Sequence, residues 1–365
     1  MRMLGSVSGV VLVGLVAAAC GGEDKPPQTP PSPPVAVAPE TTPDKPKETP
    51  PPAAPKASLA EMQQKALGAA MEALNAHDAT KFAALYAPDA VMSAAGLREL
   101  NGRDMIAADM KEWFETFGDV KVGFARAFMK KDVVVLEWAL AGTYKGGGLF
   151  GEKGKDTPIG HHGLSVLWFD DNGLVKTEHR YGDLGAVAAQ LGGGAAKGAK
   201  GPAAPPIPTL PASPEVVAAK GTPDEDKNAG VGASLLAAMS DHSEAKFAEL
   251  VTDDIEQEGL TTLAATKGKA DAKKFFQAVT KAFPDAKLTP SGSWGVGDFA
   301  IVEYALTGTQ KGPLGPLPAS KKPVTVHAVD VFRIKDGKVA RAWTFTNGLE
   351  LLNQIQQVSI TPPAK

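Results

Sequence analysis

Glu137-Trp138-Ala139-Leu140-Ala141-Gly142-Thr143, followed by Lys145-Gly146, is written a second time as Glu303-Tyr304-Ala305-Leu306-Thr307-Gly308-Thr309, followed by Lys311-Gly312. The offset is 166 residues, and the flanks repeat with it. His77 and Phe82 match His242 and Phe247, Asp89 matches Asp254, and Gly102 matches Gly268. Phe117-Gly118-Asp119 returns as Phe283-Pro284-Asp285, while Pro158 and His162 return as Pro323 and His327. The chain is therefore a duplication of one unit of about 130 residues, far longer than the period of a solenoid.

Inside the first copy the hydrophobic period changes partway. Ser58-Leu59-Ala60-Glu61 has the spacing of a capping box, and Met62, Ala66, Ala69, Ala70, Ala73 and Leu74 give the following helix an apolar stripe. A second short helix is predicted over 79–86, stopped by Pro88-Asp89, then a strand-like piece over 90–93. A third helix over 104–117 carries Ile106, Met110, Trp113, Phe114 and Phe117. From Val120 the period becomes two, and 120–128, 133–143, 159–169 and 175–181 read as four strands. Asp132, Gly146-Gly147-Gly148 and Asp171-Asn172-Gly173 mark the turns between them. Three helices followed by a curved antiparallel sheet, twice in tandem, define an α+β fold.

Composition narrows the address and the partners. The 41 acidic and 38 basic residues are mixed along the chain, and a net charge of -3 argues against nucleic acid as a partner. The single cysteine, Cys20, closes the run Leu15-Val16-Ala17-Ala18-Ala19 behind Arg2, the layout of a secretory signal. That layout resembles a bacterial lipoprotein signal, which implies an acylated, palmitate-bearing Cys20 as the first mature residue. Gly21-Gly22 after it then implies the outer membrane of a cell envelope, facing periplasm or exterior. Residues 21–57 hold 13 prolines and read as a disordered, extended tether. The domain plan is a signal over 1–19, a tether over 20–57, a first domain over 58–192, a Gly/Pro-rich linker over 193–224, a second domain over 225–358 and a tail over 359–365.

The order from Asn75 through His77-Asp78 and Pro88-Asp89-Ala90-Val91, then Asn101-Gly102-Arg103-Asp104, carries a family resemblance. With Gly142-Thr143-Tyr144-Lys145-Gly146 and the run from Asp171 to Asp183, it resembles the SnoaL-like polyketide cyclases of the nuclear transport factor 2-like superfamily. The resemblance implies a cone formed by the curved sheet, closed by helices around an apolar pocket. In the cyclases a pocket carboxylate acts as acid and base for an intramolecular aldol closure. The fold itself does not choose among cyclase, isomerase and plain binding domain.

Alternation along the last strand of copy one places Val175, Thr177, His179, Tyr181 and Asp183 on one face and Lys176, Glu178 and Arg180 on the other. If the first set lines the cone, Asp183 is the candidate base, with His179 and Tyr181 as orienting or donor groups. The competing reading makes Asp183 the cap of a helix beginning at Leu184. In copy two the same face reads Trp343, Phe345 and Asn347, which suits ligand binding or packing and leaves no carboxylate there. Adjacent histidines on a strand point to opposite faces, so His161 and His162 do not form a metal site. Gly146 to Gly148 lacks the strand-then-helix context of a phosphate loop, and no cofactor is implied. Glu137 and Glu303 are expected on a solvent-facing strand surface. The functional expectation is an envelope protein binding a small apolar ligand or a protein partner without catalysis. The alternative is a cyclase- or isomerase-like enzyme in domain 1. Sheet faces that pair, between the two copies or in a homodimer, are a further expectation.

Overall fold

Ser58 and Thr222 begin the two halves in the same way. In the computed structural model, which describes residues 57–151, 155–192, 203–258 and 264–356, each hydroxyl accepts from the backbone N–H three residues on. Glu61 and Glu225 return the bond to the cap, completing two capping boxes. The signal, Cys20, almost all of the tether, the first part of the linker and the tail lie outside the described residues.

Domain 1 runs through α1 (Leu59–Asn75), α2 (Ala79–Ala83), β1 (Tyr86–Ala94), β2 (Arg98–Asn101), α3 (Arg103–Thr116), β3 (Lys121–Lys130), β4 (Val133–Tyr144), β5 (Thr157–Phe169), β6 (Val175–Gly182) and α4 (Leu184–Gln190). A linker strand, β7 (Glu215–Ala218), follows. Domain 2 repeats the plan as α5 (Pro223–Ser240), α6 (Glu244–Leu250), β8 (Val251–Gln257), β9 (Thr266–Lys267), α7 (Lys269–Ala282), β10 (Lys287–Val296), β11 (Phe299–Thr309), β12 (Pro323–Lys335), β13 (Lys338–Thr346) and α8 (Gly348–Gln354). The strand orders are β2-β1-β6-β5-β4-β3-β7 and β10-β11-β12-β13-β8-β9. The fold is α+β, with one sheet per domain and helices ahead of each.

Three details differ from the sequence-based expectation. Tyr86 opens strand β1 instead of closing the second helix, and Pro88 and Asp89 sit in that strand where its register against β6 shifts. A proline cannot donate to a ladder, so an irregular stretch is where a strand tolerates it. The β1–β6 pairing is parallel, so the antiparallel meander is extended by a parallel neighbour. The later part of the linker is held on domain 1, because β7 pairs in parallel with Arg126–Met129 of β3. Pro211 and Ile207 press on Gly123 and Gly160, where an added Cβ would come within 2.5 Å of Pro211 O and 2.8 Å of Ile207 Cγ2.

Each sheet buries both faces. The inner face of sheet 1 meets its own helices through Phe82, Met92, Ile106, Phe114, Leu136 and Leu167. The inner face of sheet 2 does the same through Leu235, Phe247, Phe276, Val302 and Phe332. The outer faces pack on each other: Phe128, Val135, Leu164, Val166 and Tyr181 of domain 1 lie against Val296, Phe299, Ile301, Val329 and Val331 of domain 2. The Phe128 and Phe299 rings stand 5.0 Å apart, edge to face. Two-sided burial explains why β4 begins with an unbroken apolar run, Val133 to Leu136, instead of clean alternation.

Candidate functional site

The last strand of domain 1 decides which side chains reach the cone. Trp168 and Phe169 of β5 pair with Thr177 and Val175 of β6, so one extra residue, Lys176, is accommodated in a bulge. Val175 points into the cone core, and beyond the bulge the parity reverses. Glu178, Arg180 and Gly182 then line the interior, while His179 and Tyr181 face domain 2. The expected inward face is thus the outer one.

Each expected acid–base residue has a structural task on that outer face. The Tyr181 hydroxyl donates to Glu303 Oε1 at 2.7 Å, and His179 Nδ1 stands 2.7 Å from the same oxygen. Ser291 donates to Glu303 Oε2 at 3.2 Å. Burial works against ionising Glu303, but these bonds together hold it below its ordinary value. Asp183 caps α4, accepting from the Ala186 N–H, and also accepts from the Gly348 N–H of domain 2, both at 3.1 Å. Through Oδ1 it thus caps the first turns of α4 and α8 together. Asn347 is its counterpart, accepting from the Leu349 N–H at 3.1 Å and donating to Ala95 O at 2.9 Å. Trp343 lies under Arg126 at 3.9 Å and near Arg341 at 4.8 Å, and Phe345 packs in the layer between the sheets. Trp343, Phe345 and Asn347 border the outer part of the domain 2 cavity together with Tyr181 and Asp183.

Glu137 and Glu303 are buried at 5% and 2% exposure, contrary to the solvent-facing expectation, because the other domain covers the face they share. Glu137 receives a two-pronged bond from Arg126 at 2.7 and 2.8 Å. Burial nevertheless pushes its carboxyl up to about 7 against the pull of Arg126. The repeat positions thus solve one problem in two ways. Glu137 takes its donor from its own sheet, whereas Glu303 takes donors from His179 and Tyr181 across the interface.

A cavity of about 230 Å3 opens into the cone of domain 1. Its walls are mostly apolar, including Leu67, Met92, Trp113 and Phe124, with a polar patch from β1, β5 and β6. At the centre of the patch, Glu178 Oε1 accepts from Arg180 Nε at 2.8 Å and from Ser165 Oγ at 2.7 Å. Its Oε2 accepts from Arg180 Nη2 at 3.0 Å and from the Tyr86 hydroxyl at 2.5 Å. Trp138 Nε1 donates to Ser165 Oγ at 3.1 Å. Burial favours the protonated acid, but the guanidinium charge and these donors win and hold Glu178 below its ordinary value. Glu178 is therefore ionised and fully engaged, a poor proton acceptor. His161 also faces this cavity, with Nδ1 2.9 Å from His162 O, and burial lowers its pKa so that it is neutral. His162 points outward, and among the described residues no group of side chains has the makings of a metal site.

Domain 2 replaces this ion pair by a lone carboxylate. The repeat aligns Ser165 with Asp330 and Arg180 with Thr344, pairs that face each other across the strands in both sheets. Ala342 stands where domain 1 has Glu178. Asp330 is 9% exposed and accepts from Thr344 Oγ1 at 2.6 Å, with the Tyr304 hydroxyl as a second donor. Among the described residues it has no cationic partner, and burial pushes its carboxyl up to about 6. It borders a cavity of about 1220 Å3 that extends from the apolar cone of domain 2 to residues of domain 1. Sequence reasoning misses Asp330; the available signal is an acid inside the apolar run Val329-Asp330-Val331-Phe332.

The SnoaL-like polyketide cyclase family matches residues 232–355, and the related SnoaL-like domain family matches residues 67–177. The chain carries two SnoaL-like domains in tandem. Among similar solved structures is a protein of Jannaschia sp. CCS1 provisionally described as a SnoaL-like polyketide cyclase, at 24% identity and a TM-score of 0.35 over 38% of this chain and 97% of that one. TsrD from Streptomyces laurentii gives 20% identity and a TM-score of 0.34 over 38% and 98%. A ketosteroid isomerase-like protein from Catenulispora acidiphila, solved with trimethylamine, gives 21% and 0.31 over 35% and 92%. No curated protein matches the chain.

Proposed function

We propose that the protein is a lipid-anchored, envelope-facing binding protein that takes small, largely apolar molecules into its cones. The carrying observation is the domain 1 cavity, apolar apart from a polar patch whose carboxylate is already ionised and saturated. Such a wall orients a ligand by hydrogen bonds. The anchor rests on the signal-like run ending at Cys20. Palmitate labelling in a bacterial host should be lost on Cys20→Ser; labelling that survives removes the anchor. Native mass spectrometry of the Cys20→Ser chain, purified without added ligand, tests the pockets. An additional mass of a few hundred daltons that is lost on unfolding supports the reading, and a clean apo mass opposes it.

Asp330 favours a second reading, proton transfer in domain 2. A buried carboxylate at about 6, beside the Tyr304 hydroxyl, suits removal of a proton from carbon next to a carbonyl. The SnoaL-like likeness makes cyclase- or isomerase-type chemistry the natural class. Deuterium exchange into the α-carbons of 2-tetralone, followed by NMR, checks it. The chain should accelerate exchange with a midpoint near pH 6, and Asp330→Asn should abolish the acceleration. Exchange that survives Asp330→Asn excludes this role.

A further inference from the structure

The larger cavity does not end inside the domain 2 cone. It continues between the domains, where Arg126 and Glu137 of sheet 1 and Trp343 of sheet 2 border it. These three side chains stand on the facing outer surfaces of the two sheets, so this junction lies outside both cones and needs both domains.

Arg126 is the cation of the junction with bonding capacity to spare. It spends Nε and Nη2 on Glu137 and lies 3.9 Å from the Trp343 ring, while its Nη1 makes no hydrogen bond among the described residues. Arg341, 4.8 Å from the same ring, is committed to Glu258 at 2.5 Å and stands 4.0 Å from Glu256. Of the other ionisable groups at this end, Asp183 is bonded to two backbone N–H groups, and desolvation keeps His162 neutral.

The partner of Arg126 decides what can bind beside it. Burial, with a smaller push from Glu215 on β7, places the Glu137 carboxyl at about 7 despite the guanidinium. Near neutral pH Glu137 therefore takes up a proton at little cost. A carboxylate arriving at Arg126 replaces the charge that Glu137 gives up, so the guanidinium is balanced before and after. Each carboxylate bound takes one proton from solvent onto Glu137, whose O–H becomes a further donor. Behind the junction the walls are apolar, with Leu235, Phe247, Leu306 and Phe332, and call for a hydrocarbon body.

We propose that the interdomain junction is a subsite for the carboxylate head of a single-chain amphiphile, bound at Arg126 Nη1 beside Trp343 with its hydrocarbon body in the domain 2 cone. This rests on the small-molecule reading above and gives the second cavity a defined head-group chemistry. Decanoate and 1-decanol, equal in chain and different in head, separate the two claims. Calorimetry on the full Cys20→Ser chain at about pH 6 should show decanoate bound at least about tenfold more tightly, the scale of one charged-group hydrogen bond. Decanoate affinity should fall about tenfold by about pH 8 as Glu137 ionises, and buffers of different ionisation enthalpy should then report about one proton taken up per ligand. The alcohol should show neither effect. Glu137→Gln should bind decanoate equally at both pH values, and Arg126→Gln should bring it to the level of 1-decanol.

Equal affinity of the unsubstituted junction for the two probes, or decanoate binding there that ignores pH, overturns the subsite but leaves an apolar cavity standing. A pH dependence that survives Glu137→Gln, or is lost on Asp330→Asn, puts the proton elsewhere and also overturns it. Failure of both probes to bind removes the small-molecule reading of this cavity together with the subsite.

Discussion

Two carboxylates at neighbouring positions of the repeat show how partners set chemistry. Glu178 is buried with two donors from the Arg180 guanidinium and two hydroxyl donors, and stays ionised. Glu178→Gln should cost about 3–5 kcal/mol in urea denaturation, because it leaves Arg180 buried without its counter-charge. Asp330 is buried without a cation, and its folded value of about 6 lies above the ordinary 3.8. The native state therefore holds that proton more tightly than the unfolded chain does. The stability this contributes is complete below about pH 4 and is lost as the pH rises through about 6. Relative to wild type, Asp330→Asn should gain on the order of 3 kcal/mol between pH 4 and pH 8. Urea midpoints at the two pH values check this; a gain that does not depend on pH means Asp330 titrates normally.

At the scale of the element, a single residue of bulge separates what the sequence shows from what it hides. Helices, strands and their order are legible because period and punctuation are local: the capping boxes, the turn at Asp171-Asn172-Gly173, and the repeat itself. The site is not. Period-two alternation correctly separates Glu178 and Arg180 from His179 and Tyr181, but taking Val175 and Tyr181 together as the inward face selects the wrong set, since only Val175 reaches the cone core. The extra residue at Lys176 reverses the parity just past that point. A bulge depends on pairing with β5, which alternation within one strand does not reveal. The loss of His-Tyr-Asp in copy two is likewise an interface change, since Trp343 and Phe345 face Arg126 and the sheet of domain 1. Asp183 is legible as a cap from its place before Leu184. Asp183→Ala should lower stability by about 1–2 kcal/mol and Asp183→Asn by much less, as expected of a cap. Thermal melts compare the two; an equal loss for both would argue against capping.

At the largest scale, among the described residues, the outer faces of the two sheets pack together and form a third apolar layer. Glu137, Glu303, His179 and Tyr181 make sense only at this scale, as polar groups enclosed by duplication. A site-specific protease sequence inserted between Gly192 and Ala203 should, after cleavage, leave the halves eluting together on gel filtration. Separate elution would mean that the linker, not the layer, holds them. Ile301→Ala in this layer should cost about 2–4 kcal/mol. Division of labour between the cones, recognition in one and a titrating carboxylate in the other, is the central functional claim. Carboxyl-carbon NMR of the intact chain across pH 5–8 tests it most directly, with Asp330→Asn and Glu178→Gln assigning the resonances. Asp330 should titrate with a midpoint near 6 while Glu178 stays ionised throughout. A Glu178 that titrates in this range, or an Asp330 already ionised at pH 5, would contradict it.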